Sequence, residues 1–205
     1  MGRAATLQIE LLGGFRLVTG GRSLTRTPST RQQQVLAFLI LHARSGPILR
    51  QRLAGSLWPD STDVQALTNL RRELHHLREH WPNLDALVDG ASRTLAWRQD
   101  ASASVDVAAF EAASDRGLAG DREALREAAA LYRGDLLPDV SGEWIDPDRE
   151  RLRERAKQVV NRLVLLFEEE RAFGDAIEAA QQLLRLDPLD ELAWCALMRS
   201  HARRG

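Results

Sequence analysis

Large apolar residues recur between positions 67 and 81 at intervals of 3, 4, 3 and 4: Leu67, Leu70, Leu74, Leu77 and Trp81. A strand would bring them to alternate faces, so this spacing demands one amphipathic helix with its stripe turned into a core. Ser61 or Thr62 can cap its start, and Trp81-Pro82 stops it. At about 100° per residue, the side opposite the leucines carries Gln65, Thr68, Arg72, His75, His76 and Glu79, while Arg71 and Arg78 flank the stripe near Val64.

The residues around this helix predict its setting. "LQIELL", "FRLVT" and "RSLT", separated by Gly13-Gly14 and Gly20-Gly21, read as a small antiparallel sheet. Pro28 and Ser29 open a helix that carries an apolar run to Leu41 and stops at Gly46. A shorter helix follows, with Leu49, Leu53 and Leu57 at i, i+4 and i+8, ending before Pro59. After the striped helix, "ALVDGASRTLAW" has the form of a β-hairpin around Asp89-Gly90, with a polar tip ending at Arg93. Sheet, three helices and hairpin, in that order, make a winged helix-turn-helix, whose third helix has the diameter to enter a major groove.

From "ASASVDVAAFEAAS" onward the pattern is entirely helical. If Lys157 opens a 34-residue tetratricopeptide-like unit, Ala176 falls at its twentieth position and Pro188 at its thirty-second. A second unit then opens at Glu191, with Trp194 fourth and Leu197 seventh, so the spacing predicts that the repeat continues past residue 205. The expected fold is mostly α with a small β component, divided at 1–100 and 101–205. Charge divides at the same place. Residues 1–100 carry 13 arginines and 8 carboxylates, net +5, whereas 101–205 carry 15 basic and 21 acidic residues, net −6. A basic half beside an acidic one is expected where only one domain approaches a polyanion.

The segments "RQQQVLAFLILHARSGPILRQRLAGSLWPD", "ALTNLRRELHHLRE", "VDVAAFEAA" and "LYRGDLLPDVSGEWIDPDRERLRERA", in this order, resemble the Streptomyces antibiotic regulatory protein (SARP) family of transcriptional regulators. The resemblance spans residues 7–205. It implies an OmpR-type winged helix followed by a bacterial transcriptional activation domain of tetratricopeptide-like helices. It further implies a sequence-specific activator that binds direct repeats in double-stranded DNA as a head-to-tail dimer and recruits RNA polymerase holoenzyme. By position, Asn69, Arg71, Arg72 and Arg78 match the recognition helix and Arg93 the wing, while Arg31 and Arg50 match places where such domains hold phosphates. From the helical face, Thr68, His75 and His76 join the expected DNA-binding set. Glu73 and Glu79 add negative charge to a helix whose relatives often have neutral or basic residues there.

Other chemistries find less support. "HLREH", residues 76–80, matches the HxxEH pattern of inverted zinc proteases, but His76 and His80 point away from the leucine stripe and no further ligand is evident, so neither a metal nor another cofactor is expected. No nucleophile elbow, phosphate-binding glycine loop or carboxylate pair stands out, and the chain reads as a non-enzyme. No apolar run is long enough to span a membrane, and the first residues lack a secretory h-region, so a cytoplasmic protein is expected. Cys195, in "LAWCALM", reads as a small buried hydrophobe, and Trp144 and Trp194 as packing residues. The alternative to DNA reading is a protein-interaction scaffold built on the helical half, with "EEE" (168–170) and "PDRERLRERAK" (147–157) as charged docking surfaces. If His75 or His76 meets DNA as imidazolium, affinity rises as pH falls from about 7.5 to 6.

Overall fold

The computed structural model describes residues 7–23, 28–81, 84–98 and 103–204. Leu24 and Thr25 of the third expected strand, Pro82 of the expected helix stop, and Ala101 and Ser102 lie outside the described residues. The chain forms two compact units, Met1–Val105 with Leu137–Asp148, and Asp106–Leu136 with Arg149–Gly205. The fold is mostly helical with a small β component: a winged helix-turn-helix followed by an all-α domain. Compactness does not follow the contiguous division at residue 100, because residues 137–148 return to the first unit.

In the first unit, β1 (Leu7–Glu10), β2 (Arg16–Thr19) and β3 (Arg22–Ser23) form an antiparallel meander. The helix α1 (Thr30–Leu41) begins in a capping box: the Ser29 hydroxyl accepts from the Gln32 amide at 3.3 Å, and the Gln32 side chain accepts from the Ser29 amide at 3.0 Å. Its buried run, including Val35, Leu36, Phe38 and Leu39, forms much of this unit's core. A 3-10 turn over Ala43–Ser45 ends at Gly46, whose φ of 82° suits a glycine. Then come β4 (Ile48–Leu49), α2 (Arg50–Leu57), α3 (Asp63–His80), the short α4 (Leu84–Leu87), β5 (Val88–Gly90) and β6 (Thr94–Trp97). The last two strands form the hairpin, and β4 joins its other edge in the order β4-β6-β5. Asp89 and Gly90 lie within β5, and the turn itself is Ala91–Arg93, closed by the Ala91 amide donating to the Thr94 carbonyl at 3.1 Å.

One segment expected to be helical is a strand. The residues Ala103–Val105 form β7, which pairs in parallel with β1 and places Ile9 opposite Val105. Three residues are too few to show a period, and what makes them a strand is the open edge of β1. The segment Leu137–Asp148 is tied to the same unit. The Leu137 amide donates to the Leu11 carbonyl at 2.9 Å, Gln34 Nε2 donates to the Ser141 carbonyl at 3.3 Å, and Trp144 packs on Phe38 with ring centroids 5.3 Å apart.

The second unit contains α5 (Asp106–Leu118), α6 (Arg122–Leu131), α7 (Asp146–Glu169) from Arg149 onward, α8 (Phe173–Leu186) and α9 (Glu191–Arg204). The start of α6 is capped by Asp121, whose carboxylate accepts from the amides of Glu123 and Ala124. Of the positions expected of a tetratricopeptide-like unit, Ala176 is buried in α8 and Pro188 lies in the turn before α9, whereas Lys157 lies within α7 and opens no helix. Trp194 and Cys195 differ from expectation, for both are exposed. The residues that α9 buries, Ala193, Ala196 and Ser200, are small and allow close approach to α8, so the bulkier Leu192, Trp194 and Met198 fall on the open sides.

Two details of this unit carry measurable consequences. A Cβ added at Gly117 in α5 would lie 2.8 Å from the backbone of Leu125 in α6. In an open helix Gly→Ala gains about 1 kcal/mol; here we expect Gly117→Ala to destabilise the chain by about 1–3 kcal/mol in chemical unfolding, because backbone must give way. Asp135 accepts from Arg153 Nε at 3.1 Å and from the Tyr132 hydroxyl at 3.0 Å. The Arg153 hydrogen bond is the chief reason its carboxyl is held below the usual carboxylate range, against the opposing effect of burial. A depressed folded value stabilises above the unfolded value and loses that effect as pH falls through the folded one. Asp135→Asn should therefore cost about 1–3 kcal/mol at pH 7, with the difference from wild type shrinking below about pH 4.

Candidate nucleic-acid interface

The exposed face of α3 is set by what the helix buries. Ala66, Leu70, Leu74 and Leu77 are almost wholly inaccessible, Leu67 is half-buried at the margin, and Trp81 is half-buried just past the end. Thr62 caps the helix by accepting from the Gln65 amide at 3.4 Å, and Asp63 in the first turn suits the positive end of the helix dipole. Gln51 of α2 donates to Asp63 at 2.8 Å, joining the two helices at their polar side. Turned outward along α3 are Val64, Gln65, Thr68, Arg71, Arg72, His75, Arg78 and Glu79, with Asn69 and His76 half-buried at one edge.

Each of these side chains has a particular setting. The Thr68 hydroxyl donates to the Val64 carbonyl at 2.8 Å, and Gln65 Nε2 donates to Asn69 Oδ1 at 3.1 Å. Arg72 is 63% exposed, with Glu73 at 3.7 Å. Glu73 itself is buried, so its charge is not displayed on the outer face; Glu79 is outward, with His75 Nε2 at 3.3 Å. The two rings of His75 and His76 lie 6.1 Å apart. Arg78 donates to Asp85 at 2.9 Å. Arg71 has no carboxylate partner among the described residues.

The wing is latched to the start of α2. The Arg50 amide donates to the Arg93 carbonyl at 2.9 Å, and Arg50 Nε donates to the Ala91 carbonyl at 3.1 Å. These two hydrogen bonds hold the turn that carries Arg93, whose exposed guanidinium also lacks a carboxylate partner among the described residues. Between the wing turn, the start of α2 and the flank of α3 lies a concavity of about 590 Å³ lined by Leu49, Arg50, Gln51, Arg71, Ser92 and Arg93, with Leu67 and Leu70 at its base. Burial pulls the Arg50 guanidinium below its usual value, and the nearby charges of Arg78 and Arg71 pull it further. Gly90 assists the crowding, since the position a Cβ would take is 3.5 Å from Arg50 and 3.7 Å from Arg78. Three elements thus concentrate positive charge where a phosphodiester could relieve it.

Arg31 is placed elsewhere. Its Nη1 donates to the Leu57 carbonyl at the end of α2 at 2.6 Å and to Gln34 at 2.8 Å, and the guanidinium lies over the Trp58 ring at 5.1 Å. These contacts fasten α1 to α2, and Arg31 does not line the concavity that contains Arg50 and Arg93. Among the described residues no group of three or more His, Cys, Asp or Glu is arranged to hold a metal ion; the His80 side chain lies outside the description. No described helix is long and apolar enough to cross a membrane. The sequence reading overlooked Leu49, Gln51 and Ser92 as parts of this surface and mentioned Val64 only as a flank. None has a motif, and Leu49, Gln51 and Ser92 come together only once the hairpin is folded against α2.

Residues 101–205 match a family described as the bacterial transcriptional activator domain. Among solved structures, Mycobacterium tuberculosis EmbR in complex with a low-affinity phosphopeptide has a similar fold, with a TM-score of 0.74 at 18% identity. That similarity takes in 98% of this chain and 55% of the EmbR chain, so the present sequence spans about half the length of the structure it resembles. No curated protein sequence matches.

If Arg31 is a fastener, Arg31→Ala should lower stability by about 1–3 kcal/mol in urea unfolding, through loss of charged hydrogen bonds to buried acceptors. The same variant should leave the salt dependence of any nucleic-acid binding unchanged, and a shallower salt slope would place Arg31 at the interface instead.

Proposed function

The chain belongs to the bacterial transcriptional activator domain family, and from that premise we propose that it is a sequence-specific DNA-binding activator of the SARP type, with an OmpR-type winged helix. In this reading α3 lies in the major groove of double-stranded DNA, and the wing reaches the neighbouring backbone. The chain binds direct repeats as a head-to-tail dimer and recruits RNA polymerase holoenzyme. The observation that carries the proposal is the convergence of Arg50, Arg71 and Arg93 on one concavity beside the exposed face of α3.

The roles divide by geometry. Thr68 and Arg72 lie near the centre of the outward face, opposite Ala66, Leu70 and Leu77, and are suited to base edges. Arg50, Arg71 and Arg93 lie to the side, on the wing flank, and are suited to phosphates, which position the protein without reading sequence. Arg78, held by Asp85, and the edge residues Asn69 and His76 are secondary contacts. His75 has Glu79 as a neighbour on its own helix, so a proton on the imidazole meets a carboxylate as well as the DNA. The scaffold alternative is favoured by one observation, the exposure of Leu189, Leu192, Trp194 and Met198 at and before α9.

Genomic DNA captured by the purified chain, followed by binding curves at several salt concentrations, tests the reading. A tandem motif should be enriched. Arg72→Ala should lose about 1–3 kcal/mol of discrimination between that motif and its single-base variants. Arg50→Ala and Arg93→Ala should weaken all sequences alike, each reducing the slope of log K against log salt by about 1. Equal, weak binding of every sequence by wild type and Arg72→Ala would favour the scaffold.

A further inference from the structure

Near the N-terminal end of α3, the outward residues Val64, Gln65 and Thr68 carry no charge. Val64 is 76% exposed, the most exposed large apolar side chain of the described first unit. One turn later, Thr68 donates its hydroxyl proton to the Val64 carbonyl at 2.8 Å, so its side chain offers a partner only its γ-methyl and an acceptor oxygen. The two positions are neighbours at i and i+4, so their methyls form one small apolar patch. Arg71 and Arg72 follow on the same helix, and Arg93 lines the concavity, so a polyanion would be held on the flank of this patch, which itself has no free donor to offer a phosphate.

An exposed β-branched residue here has no folding role that explains it. Val64 contributes nothing to the core at this exposure, and valine is a poorer helix former than alanine or glutamate. Within a major groove only one base presents an apolar group, the C5-methyl of thymine. Recognition helices of this type contact base edges from their N-terminal residues, which is where Val64 and Thr68 stand.

We infer that Val64 and Thr68 form a thymine-methyl contact, so that the DNA site requires an A·T pair, in one orientation, opposite the first two turns of α3. This rests on the DNA-reading function proposed above and adds its base preference at one position. The arginines supply affinity around it, and the methyl contact separates thymine from cytosine, uracil or a reversed pair.

The test uses the full chain and a duplex selected by the wild-type protein from a random-sequence pool. Each thymine in turn is replaced by deoxyuridine, which removes the C5-methyl and leaves base pairing intact. For wild type, affinity should fall about 3- to 5-fold at one position or two adjacent positions of each repeat, the equivalent of one buried methyl group. Val64→Ala, which keeps the helix, and Thr68→Ser, which keeps the hydroxyl bond and removes the methyl, should bind the parent duplex more weakly and respond less to the same deoxyuridine. Sequence-specific binding with a flat deoxyuridine scan overturns the methyl contact and leaves the DNA-reading function standing. A deoxyuridine effect that persists undiminished in both variants also overturns it, by assigning the methyl to other residues. Failure to select any sequence overturns both readings together.

Discussion

The burial of Ala66, Leu70, Leu74 and Leu77 along one side of α3 is the constraint on which the candidate interface depends. A helix whose apolar stripe is fixed against a core cannot rotate about its axis without exposing leucine. At roughly 25 cal/mol per Å² of apolar surface, such a rotation is prohibitive. The rotation being fixed, the opposite side chains are fixed in direction as well. Thr68 and Arg72 point outward because the leucines cannot, and Glu73 is withdrawn from the outer face for the same reason. Specific recognition needs this kind of rigid display, since contacts held on mobile elements lose free energy to ordering.

The second constraint is the coupling of the wing to α2. The free amide at the start of a helix and a guanidinium on the same residue both bond the wing turn, through the carbonyls of Arg93 and Ala91. Arg50 therefore acts structurally through its backbone and Nε while its charge joins the cluster. The cost is carried first by burial of the Arg50 guanidinium and then by the nearby charges of Arg78 and Arg71, which together hold it below its usual value. A surface that gathers like charges is matched to an anion that offsets them.

The helical unit achieves order by different means. Its helices close through small residues, Gly117 against Leu125 and Ala193, Ala196 and Ser200 toward α8, and through ion pairs that join distant parts of the chain, such as Arg122 and Arg126 with Glu170, and Arg133 with the buried Asp106. The charge-dense runs at 147–157 and 168–170 thus find partners within the unit: Arg151 with Glu111, Arg153 with Asp135, Arg155 with Asp115, and Glu168 with Arg199. They are to that extent internal ties, which weakens the case for reading them as docking surfaces.

What the sequence determined by itself were the features written in local periodicity and punctuation. The 3, 4, 3, 4 apolar spacing specified α3 and its outward residues, Ser29 with Gln32 specified the start of α1, and Pro188 marked the turn between α8 and α9. Each is decided within a few turns of chain, by backbone hydrogen bonding and the 3.6-residue period. Tertiary structure alone decided the rest. The parallel pairing of Ala103–Val105 with β1, the return of residues 137–148 to the first unit, the assignment of Arg31 to an α1–α2 fastening and the exposure of Trp194 and Cys195 all depend on residues far apart in sequence. The arginine concavity belongs with these, because Arg50, Arg71 and Arg93 share no period and meet only when the hairpin folds onto α2. A side chain's direction along a helix is a local property, whereas its neighbours across a fold are set by the packing of the whole unit.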